Sequence, residues 1–482
     1  MPLFNDLASR AGSAAQSLWD ASGRLVQPSL RLGVTGLARS GKTVFTTALV
    51  HHLTQGTVLP AFRASAEGRI RRAHLAHQPD DAVPRFPYEE HVAALIKERR
   101  WPQSTSRISE LRVDVEYERK AGWRTGPATL ALDIVDYPGE WLLDLALLDA
   151  SYEEWSRQTV EASRRSDRAA VAAEWHANLS KLDPAGPADE VAASEASDAF
   201  KRYLAALRAG PEAVATTPPG RFLMPGDLAG SPALTFAPLD LGPGQGVAAG
   251  SFGALMQRRF EAYKTHVVRP FFREHFQRID RQIVLVDVLA AIDAGPVALA
   301  ELEEALDRVL MAFRTGRNTL FSRLFSPRAD KVLFAATKAD HIHHTDHDRL
   351  DGLLRVLVNR SVRRTEAAGA RVGTVALASV RATRETSVRE GREVLKAVAG
   401  TPEAGEQVGD VVFDGETEAA IFPGELPETA EAVFHGAVPP GSFRFPRFRP
   451  PKLAVDAAGR TAKLPQIRLD RALEFLLGDR LA

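Results

Sequence analysis

The chain has 482 residues, more than one core usually holds, so one large domain with sizeable insertions or two to three domains are expected. Lys plus Arg equals Asp plus Glu at 61 each, which excludes a net charge that would drive the chain onto nucleic acid or acidic lipid. Cysteine is absent, no run approaches ~18 apolar residues, and Asp6, Arg10, Asp20 and Arg24 interrupt the first segment; neither a membrane span nor a secretory signal is expected, and the protein reads as cytoplasmic.

Phe4, Leu7, Ala8, Ala11, Ala15, Leu18 and Trp19 recur at helical spacing, so residues 3–22, within an N-terminal segment 1–28, read as an amphipathic helix. Its charges are balanced rather than basic, which favours packing on the chain's own body over a membrane surface. The apolar run Leu32 to Thr35 then leads through "GLARSGKT", residues 36–43, into the helical "VFTTALVHHLTQG", which Gly56 ends. The loop fits G-x-x-x-x-G-K-[ST], a pattern that accident produces in about one chain of this length in fifty. Backbone N–H groups of Gly36, Leu37, Ala38, Arg39, Ser40 and Gly41, continued by Lys42, Thr43 and Val44, form a concave anion site backed by the positive end of the helix. In such a site Lys42 reaches the outer phosphates and the Thr43 hydroxyl sits on Mg²⁺. Arg39 either adds charge to the phosphates or turns outward to a salt bridge. A turn needing glycines only for positive φ gives no reason for Lys then Thr after the second glycine.

A helix near 88–99 follows, then "ELRVDVEYER" and "ATLALDIVDYPGE", two strands of a hairpin across "KAGWRTGP". Between helix and hairpin, Thr105, with Ser104 and Ser106 as rivals, is the hydroxyl expected to complete the Mg²⁺ shell when a γ-phosphate is present. The second strand ends in Asp136-Tyr137-Pro138-Gly139. In this D-x-x-G, Asp136 can hold a Mg²⁺-bound water and the Gly139 N–H can meet the terminal phosphate. Alone the pattern arises about twice by chance in such a chain; its position at a strand's end, downstream of the phosphate loop, is what gives it weight. Glu140 stands where a Gln often orients the attacking water. A carboxylate beside the γ-phosphate suffers charge repulsion, so Glu140 either serves the reaction or makes a structural contact, and intrinsic hydrolysis is expected to be slow.

Residues 142–275 read as a mainly helical insertion with a Pro- and Gly-rich arm over 209–250 and a helix over 252–278. The strand "QIVLVDVL", a helix near 297–315, the strand "KVLFAA", a helix over 346–366 and the strand "RVGTVALAS" then alternate, which requires a parallel sheet covered on both faces. Residues 29–141 and 276–390 are therefore two parts of one α/β domain.

"FAATKADH" ends its strand in Thr337-Lys338-Ala339-Asp340. The Asp340 carboxylate can accept from the N1–H and amine of guanine while the Lys338 stem lies along the base; adenine offers no such donor pair. Backbone N–H groups around Ser379 and Val380 in "VALASV" can meet the guanine O6. All four signals fall at carboxyl ends of strands, where ligands of open α/β sheets sit, in the order of a guanine-nucleotide switch. "HIHHTDHD" invites a metal, but a zinc site needs ligands converging from fixed backbone, and Thr345 with Asp348 reads as a capping box. Residues 391–482 form a C-terminal extension: the short strands "EVLKAVAG", "GDVVFDGE" and "AAIFPGE", the extended basic arm "PPGSFRFPRFRPP" and the closing helix "LPQIRLDRALEFLLGDRL".

Together "GLARSGKT", "RFPYEE", "WPQST", "DYPGEWLLDL", "TKADHIHHTDHDRL" and "FRFPRFRPP" resemble the YcjX-like proteins of bacteria, a stress-associated P-loop family, over nearly the whole chain. The resemblance implies a TRAFAC-type, Ras-like G domain of α/β class with a mostly parallel sheet, carrying the helical insertion and a small β-containing extension. It implies a GTPase that converts GTP to GDP with Mg²⁺ and acts as a nucleotide-dependent switch in stress response. It also implies a protein partner: the family often has a small inner-membrane protein as genomic neighbour, which would hold the chain peripherally at that membrane. Thr337 stands where Asn is usual and lacks the amide that helps tie the base loop to the phosphate loop. Two alternatives stay open: a non-hydrolysing, nucleotide-gated scaffold, suggested by Glu140, and a P-loop ATPase, weakened by Asp340.

Overall fold

The computed structural model describes residues 28–36, 39–103, 107–120, 125–165, 168–209, 218–223, 225, 228, 230–242, 247–311, 329–366, 370–429, 432–433, 442–453 and 463–482. The helix expected over 3–22, Leu37, Ala38, and Thr105 with its rivals Ser104 and Ser106 lie outside these residues.

In chain order, β1 (Ser29–Gly36) leads into α1 (Lys42–Thr54), followed by β2 (Ile70–Ala76), α2 (Tyr88–Ile96), β3 (Ser109–Arg119) and β4 (Gly126–Asp136). A helical stretch comes next, with α3 (Glu140–Leu143), α4 (Tyr152–Ser163), α5 (Ala169–Leu179), α6 (Glu190–Ala209) and α7 (Phe252–Tyr263). Then come β5 (Arg281–Val286), α8 (Val288–Ala294), α9 (Pro296–Met311), β6 (Lys331–Ala336), α10 (His347–Glu366) and β7 (Arg371–Ala376). Beyond them lie β8 (Arg384–Glu390), β9 (Glu393–Gly400), β10 (Gln407–Val408), β11 (Val411–Val412), β12 (Ala419–Ile421) and α11 (Leu469–Leu477).

Seven strands form one sheet in the order β2-β3-β4-β1-β5-β6-β7. β1 runs parallel to both neighbours, β5, β6 and β7 continue parallel, and β2 and β3 add an antiparallel edge, so the expected hairpin is present. The fold is a mostly parallel α/β sheet with a small antiparallel region, β12-β9-β8, beyond it. Because the chain leaves β1 toward opposite sides for β4 and β5, a crevice opens beyond its carboxyl end.

Side chains alternate across a strand, so a buried strand feeds two cores. Ile283 and Leu285 of β5 pack with Leu32, Leu132, Phe45 and Leu49, and with Leu473 and Leu476 of α11. Val284 and Val286 point the other way, to Leu299, Leu302 and Leu353, in a cluster that runs on without a break into the insertion. There the core is aromatic: Trp155 stacks on Phe260 at 5.0 Å and Trp175 on Tyr203 at 4.8 Å.

Three strands had no counterpart in the sequence pattern: β2, β8 and the two-residue β10. β2 and β8 are sheet edges, and "IRRAHLA" and "RETSVRE" carry the charge that protects edges from further pairing. The strand expected over 282–289 stops at Val286, because Asp287 accepts from the Ala290 N–H at 3.2 Å and starts α8. "GDVVFDGE" contributes only the two-residue β11, and the closing helix begins at Leu469 because Ile467 is extended and bridges Ala378.

Arg281 fastens α11 to the sheet. Its fully buried guanidinium meets Asp330 at 3.0 Å, Asp479 at 2.5 and 2.7 Å, and the Leu476 carbonyl; Lys331 also reaches Asp479 at 2.8 Å. Burial alone would raise the Asp479 carboxyl, but hydrogen bonds from Arg281 and Lys331 outweigh it and hold it well below the ordinary range. Asp479→Ala should cost roughly 1–3 kcal/mol in urea unfolding at pH 7, less than a wholly buried pair because Asp479 is half exposed. Since the folded pKa is depressed, the contribution is full above the unfolded value of about 3.9, and the gap between the two proteins should close as pH falls below it.

Candidate functional site

β1 ends at Gly36 and α1 begins at Lys42, and the glycines between them serve different needs. Gly41 has φ 84°, the left-handed region, while a Cβ there would touch nothing, so the requirement is conformational. At Gly36 it is space: a Cβ would lie 2.3 Å from Ser40 Oγ and 2.4 Å from the Leu285 carbonyl. Lys42 Nζ donates to the Gly36 carbonyl at 2.7 Å, and Thr43 Oγ1 donates to the Gln103 carbonyl at 3.3 Å. α1 has no acidic residue in its first turn and no side-chain cap, which leaves the positive end of the helix uncancelled. Ser40 Oγ is buried without a hydrogen-bond partner among the described residues. Orphaned hydroxyl, lysine and open helix end together are the donor set an anion with several oxygens would satisfy.

Asp136 is the last residue of β4, buried and in register with Val34 of β1 and Ser109 of β3. Gly139 lies against the phosphate loop itself, since a Cβ on it would come within 2.3 Å of the Gly36 oxygen. Glu140 turns away. Its buried carboxylate lies 3.9 Å from Arg208 of α6 and has no hydrogen bond among the described residues, and its carbonyl is pressed against Gly220. It does not line the cavity described below. One turn on, Asp144 accepts from Gly220 N at 2.6 Å, Arg221 N at 3.3 Å and Tyr263 Oη at 2.5 Å, while Arg221 stacks on Trp141 at 3.6 Å. The segment after Gly139 is thus fastened to the insertion. Burial pushes the Asp144 carboxyl up to about 6, against those three hydrogen bonds.

On the other side of β1, both the N–H and the hydroxyl of Thr337 donate to the Val286 carbonyl, at 2.9 and 3.3 Å, so this Thr ties its loop to β5. Lys338 has φ 59° and its ammonium pairs with Asp287. Asp340 is buried; Oδ2 accepts from Ala382 N at 2.8 Å and its carbonyl accepts from Thr383 Oγ1.

A cavity of about 330 Å³ joins these parts. It is lined by Arg39 to Val44, by Thr337, Lys338 and Asp340, and by Ser379 and Val380. Arg39 therefore faces the cavity. Asp136 and Gly139 stand behind the loop rather than in the wall. The wall also contains Trp101, Pro102, His341, Glu403, Arg447 and Phe448, which sequence reasoning did not assign to the site. Their only signal was that "WPQST" and "FRFPRFRPP" stand out; in the structure Trp101 Nε1 donates to the Phe448 carbonyl at 2.6 Å and brings them together.

In the histidine-rich segment the expected capping box does not form: His343 accepts from Thr345 N, residues 344–346 make a 3-10 turn, and α10 begins at His347. Ligand atoms of His343, His344 and Glu385 lie within 4.8 Å of one another, but Arg381 already faces that carboxylate at 3.5 Å and His344 is bonded to it at 2.8 Å.

Residues 30–481 match the YcjX-like family, DUF463. The Ras-like GTPase YcjX of Escherichia coli (strain K12) is 37% identical over 471 residues, covering 95% of this chain and 97% of the relative. The Ras-like GTPase YcjX of Shewanella oneidensis (strain MR-1) is 33% identical over 486 residues, covering 95% and 96%. No helix among the described residues is long and apolar enough to cross a membrane.

The fastening at Asp144 has a pH signature. A carboxyl whose folded pKa is raised stabilises most below the unfolded value and loses that contribution as pH rises through the folded one. Asp144→Asn, which cannot titrate and turns an acceptor into a donor, should be less stable than wild type at pH 4. Denaturation across pH 4 to 7 should show the wild-type advantage shrinking by about 3 kcal/mol; a constant difference would mean Asp144 does not titrate in that range.

Proposed function

The chain belongs to the YcjX-like family, and from that premise we propose that it is a Ras-like GTPase that binds GTP and GDP with Mg²⁺ and hydrolyses GTP slowly. The observation that carries this reading is one cavity whose wall holds both the phosphate loop and Asp340. Lys42, Arg39, Ser40 and the N–H groups from Gly36 to Val44 are assigned to the phosphates, and Thr337, Lys338, Asp340, Ser379 and Val380 to guanine. Thr43, Thr105 and, through water, Asp136 would hold Mg²⁺, which when bound neutralises charge between the β- and γ-phosphate oxygens. The buried orphan hydroxyl of Ser40 and the uncancelled helix end support the fit.

Slow turnover follows from Glu140. With its carboxylate drawn to Arg208, no side chain of glutamine type follows the D-x-x-G to orient water, and the residues in hand act mainly by binding and positioning. A γ-phosphate that engages the Gly139 N–H must shift a backbone already in contact with Gly36, and the Asp144 hydrogen bonds would pass that shift to residues 142–275. In this reading residues 29–141 and 276–390 are the G domain, 142–275 its reporter, 391–482 a cover on the core, and 1–28 a helix on the body. A protein partner reading the insertion, its identity as a small inner-membrane protein, and a stress role rest on the family resemblance. The second reading, a non-hydrolysing scaffold, is favoured by the same position of Glu140. Purified protein with GTP and Mg²⁺ separates the two: firm binding with turnover no faster than the uncatalysed rate would leave only the scaffold.

Lys42→Ala should weaken GTP and GDP together by about ten- to a hundredfold, because a charge-assisted bond to the shared β-phosphate is lost. Calorimetry showing unchanged GDP affinity would remove the loop assignment. Asp340→Asn can keep its oxygen for the Ala382 N–H and turn an amine toward the cavity, where guanine's own amine would oppose it. Guanine affinity should therefore fall roughly tenfold or more, while xanthine, with a carbonyl at that position, should be gained. Competition among GTP, XTP and ATP checks this; wild type preferring ATP, or a folded variant that loses GTP without gaining XTP, would reject the base assignment.

A further inference from the structure

The C-terminal extension reaches into the cavity at one place. Residues 401–403 and the arm around Phe448 are stitched as a short antiparallel pair: Glu403 N donates to the Arg447 carbonyl at 2.7 Å, Arg449 N donates to the Thr401 carbonyl at 2.8 Å, and Pro402 bridges Phe448. Phe448 is buried, with its ring edge-on to His341 at 5.3 Å, and His341 directly follows Asp340. The Phe448 carbonyl takes the Trp101 indole N–H, and two residues beyond Trp101 the Gln103 carbonyl takes the Thr43 hydroxyl. The arm is thus tied both to the residue after Asp340 and, through Trp101, to the segment that holds the Thr43 hydroxyl.

Beside Phe448, Glu403 and Arg447 line the same cavity. Arg447 is already held by Glu406, through its side chain at 2.7 Å and its N–H at 2.8 Å. Its Nε lies 3.6 Å from the Glu403 carboxylate, an ion pair without a hydrogen bond, so Arg447 positions that carboxylate without using its acceptor capacity. A carboxylate in a wall shared with a phosphate site is repelled by the ligand unless it meets donors. With the guanine donors assigned to Asp340, the donors a nucleotide has left are its ribose hydroxyls, and a carboxylate is their natural acceptor.

We propose that Glu403, positioned by Arg447, accepts from the ribose hydroxyls and makes the cavity selective for ribonucleotides over deoxyribonucleotides. The inference rests on the guanine-nucleotide reading of the site. Its test is calorimetric binding of GDP and 2′,3′-dideoxy-GDP to the full-length protein and to Glu403→Ala and Glu403→Gln, with melting curves as a check on folding. Wild type should prefer GDP by about tenfold or more. In Glu403→Ala the ratio should fall toward one through loss of GDP affinity alone, with dideoxy-GDP bound as tightly as before or more tightly, since a negative charge has been removed. Glu403→Gln, which keeps an acceptor oxygen, should retain part of the preference and supplies the measurement if the alanine variant melts early. A purely structural role would weaken both ligands equally and overturn the proposal. So would a wild type that binds both alike, which would leave the nucleotide reading standing; a wild type that binds no GDP would overturn both.

Discussion

Gly139 and Gly36 touch backbone to backbone, with no room for even a methyl group between them. That contact sets the geometry of everything around the cavity. It exists because β4 and β1 are paired in parallel register up to Asp136, so the chain leaving β4 must pass directly behind the loop that leaves β1. Interiors at this density do not deform continuously. A displacement of the Gly36 backbone therefore bears directly on the Gly139 segment, and that segment begins α3.

The other end of α3 is anchored in a different environment. Trp141 lies under the Arg221 guanidinium, and Asp144 gathers donors from Gly220, Arg221 and Tyr263. These groups belong to the insertion, whose aromatic core is continuous with the apolar layer under β5 and β6. An inserted segment with a core of its own could swing independently; this one shares its core with the sheet and is coupled to the loop through a single short helix. Glu140 belongs to the same arrangement, since its carboxylate is buried beside Arg208 and does not line the cavity.

Much of this was legible in the residues. The loop is recognisable because its glycines answer two separate demands, steric at Gly36 and conformational at Gly41, and because Lys42 and Thr43 have no role in a bare turn. The central strands announced themselves because burial on both faces leaves continuous apolar runs such as "QIVLV". β2 and β8 were hidden by the same logic, since an edge needs the polar sequence that makes it unlike a strand. Asp287 was read as strand interior, although it both caps α8 and holds Lys338, because a cap and a buried strand position look alike without the backbone angles. Least legible was the contribution of the extension: Glu403 and Arg447 reach the cavity through pairings that no local periodicity encodes.

The cavity that results carries unlike charges in its wall. At one end lie Lys42, Arg39 and the start of α1; at the other lies the Asp340 carboxylate, and Glu403 lines the same cavity. A ligand that is anionic throughout would be repelled by the second half, and a ligand rich in donors throughout would meet no acceptor in the first. What suits both halves is a molecule with charge concentrated at one end and N–H or O–H groups over the rest. The Lys338–Asp287 pair sharpens this, because it settles the lysine's charge on Asp287 rather than on the Asp340 carboxylate. Unlike charges in one cavity thus suit a ligand such as a nucleotide, with its phosphates at one end and its base donors at the other.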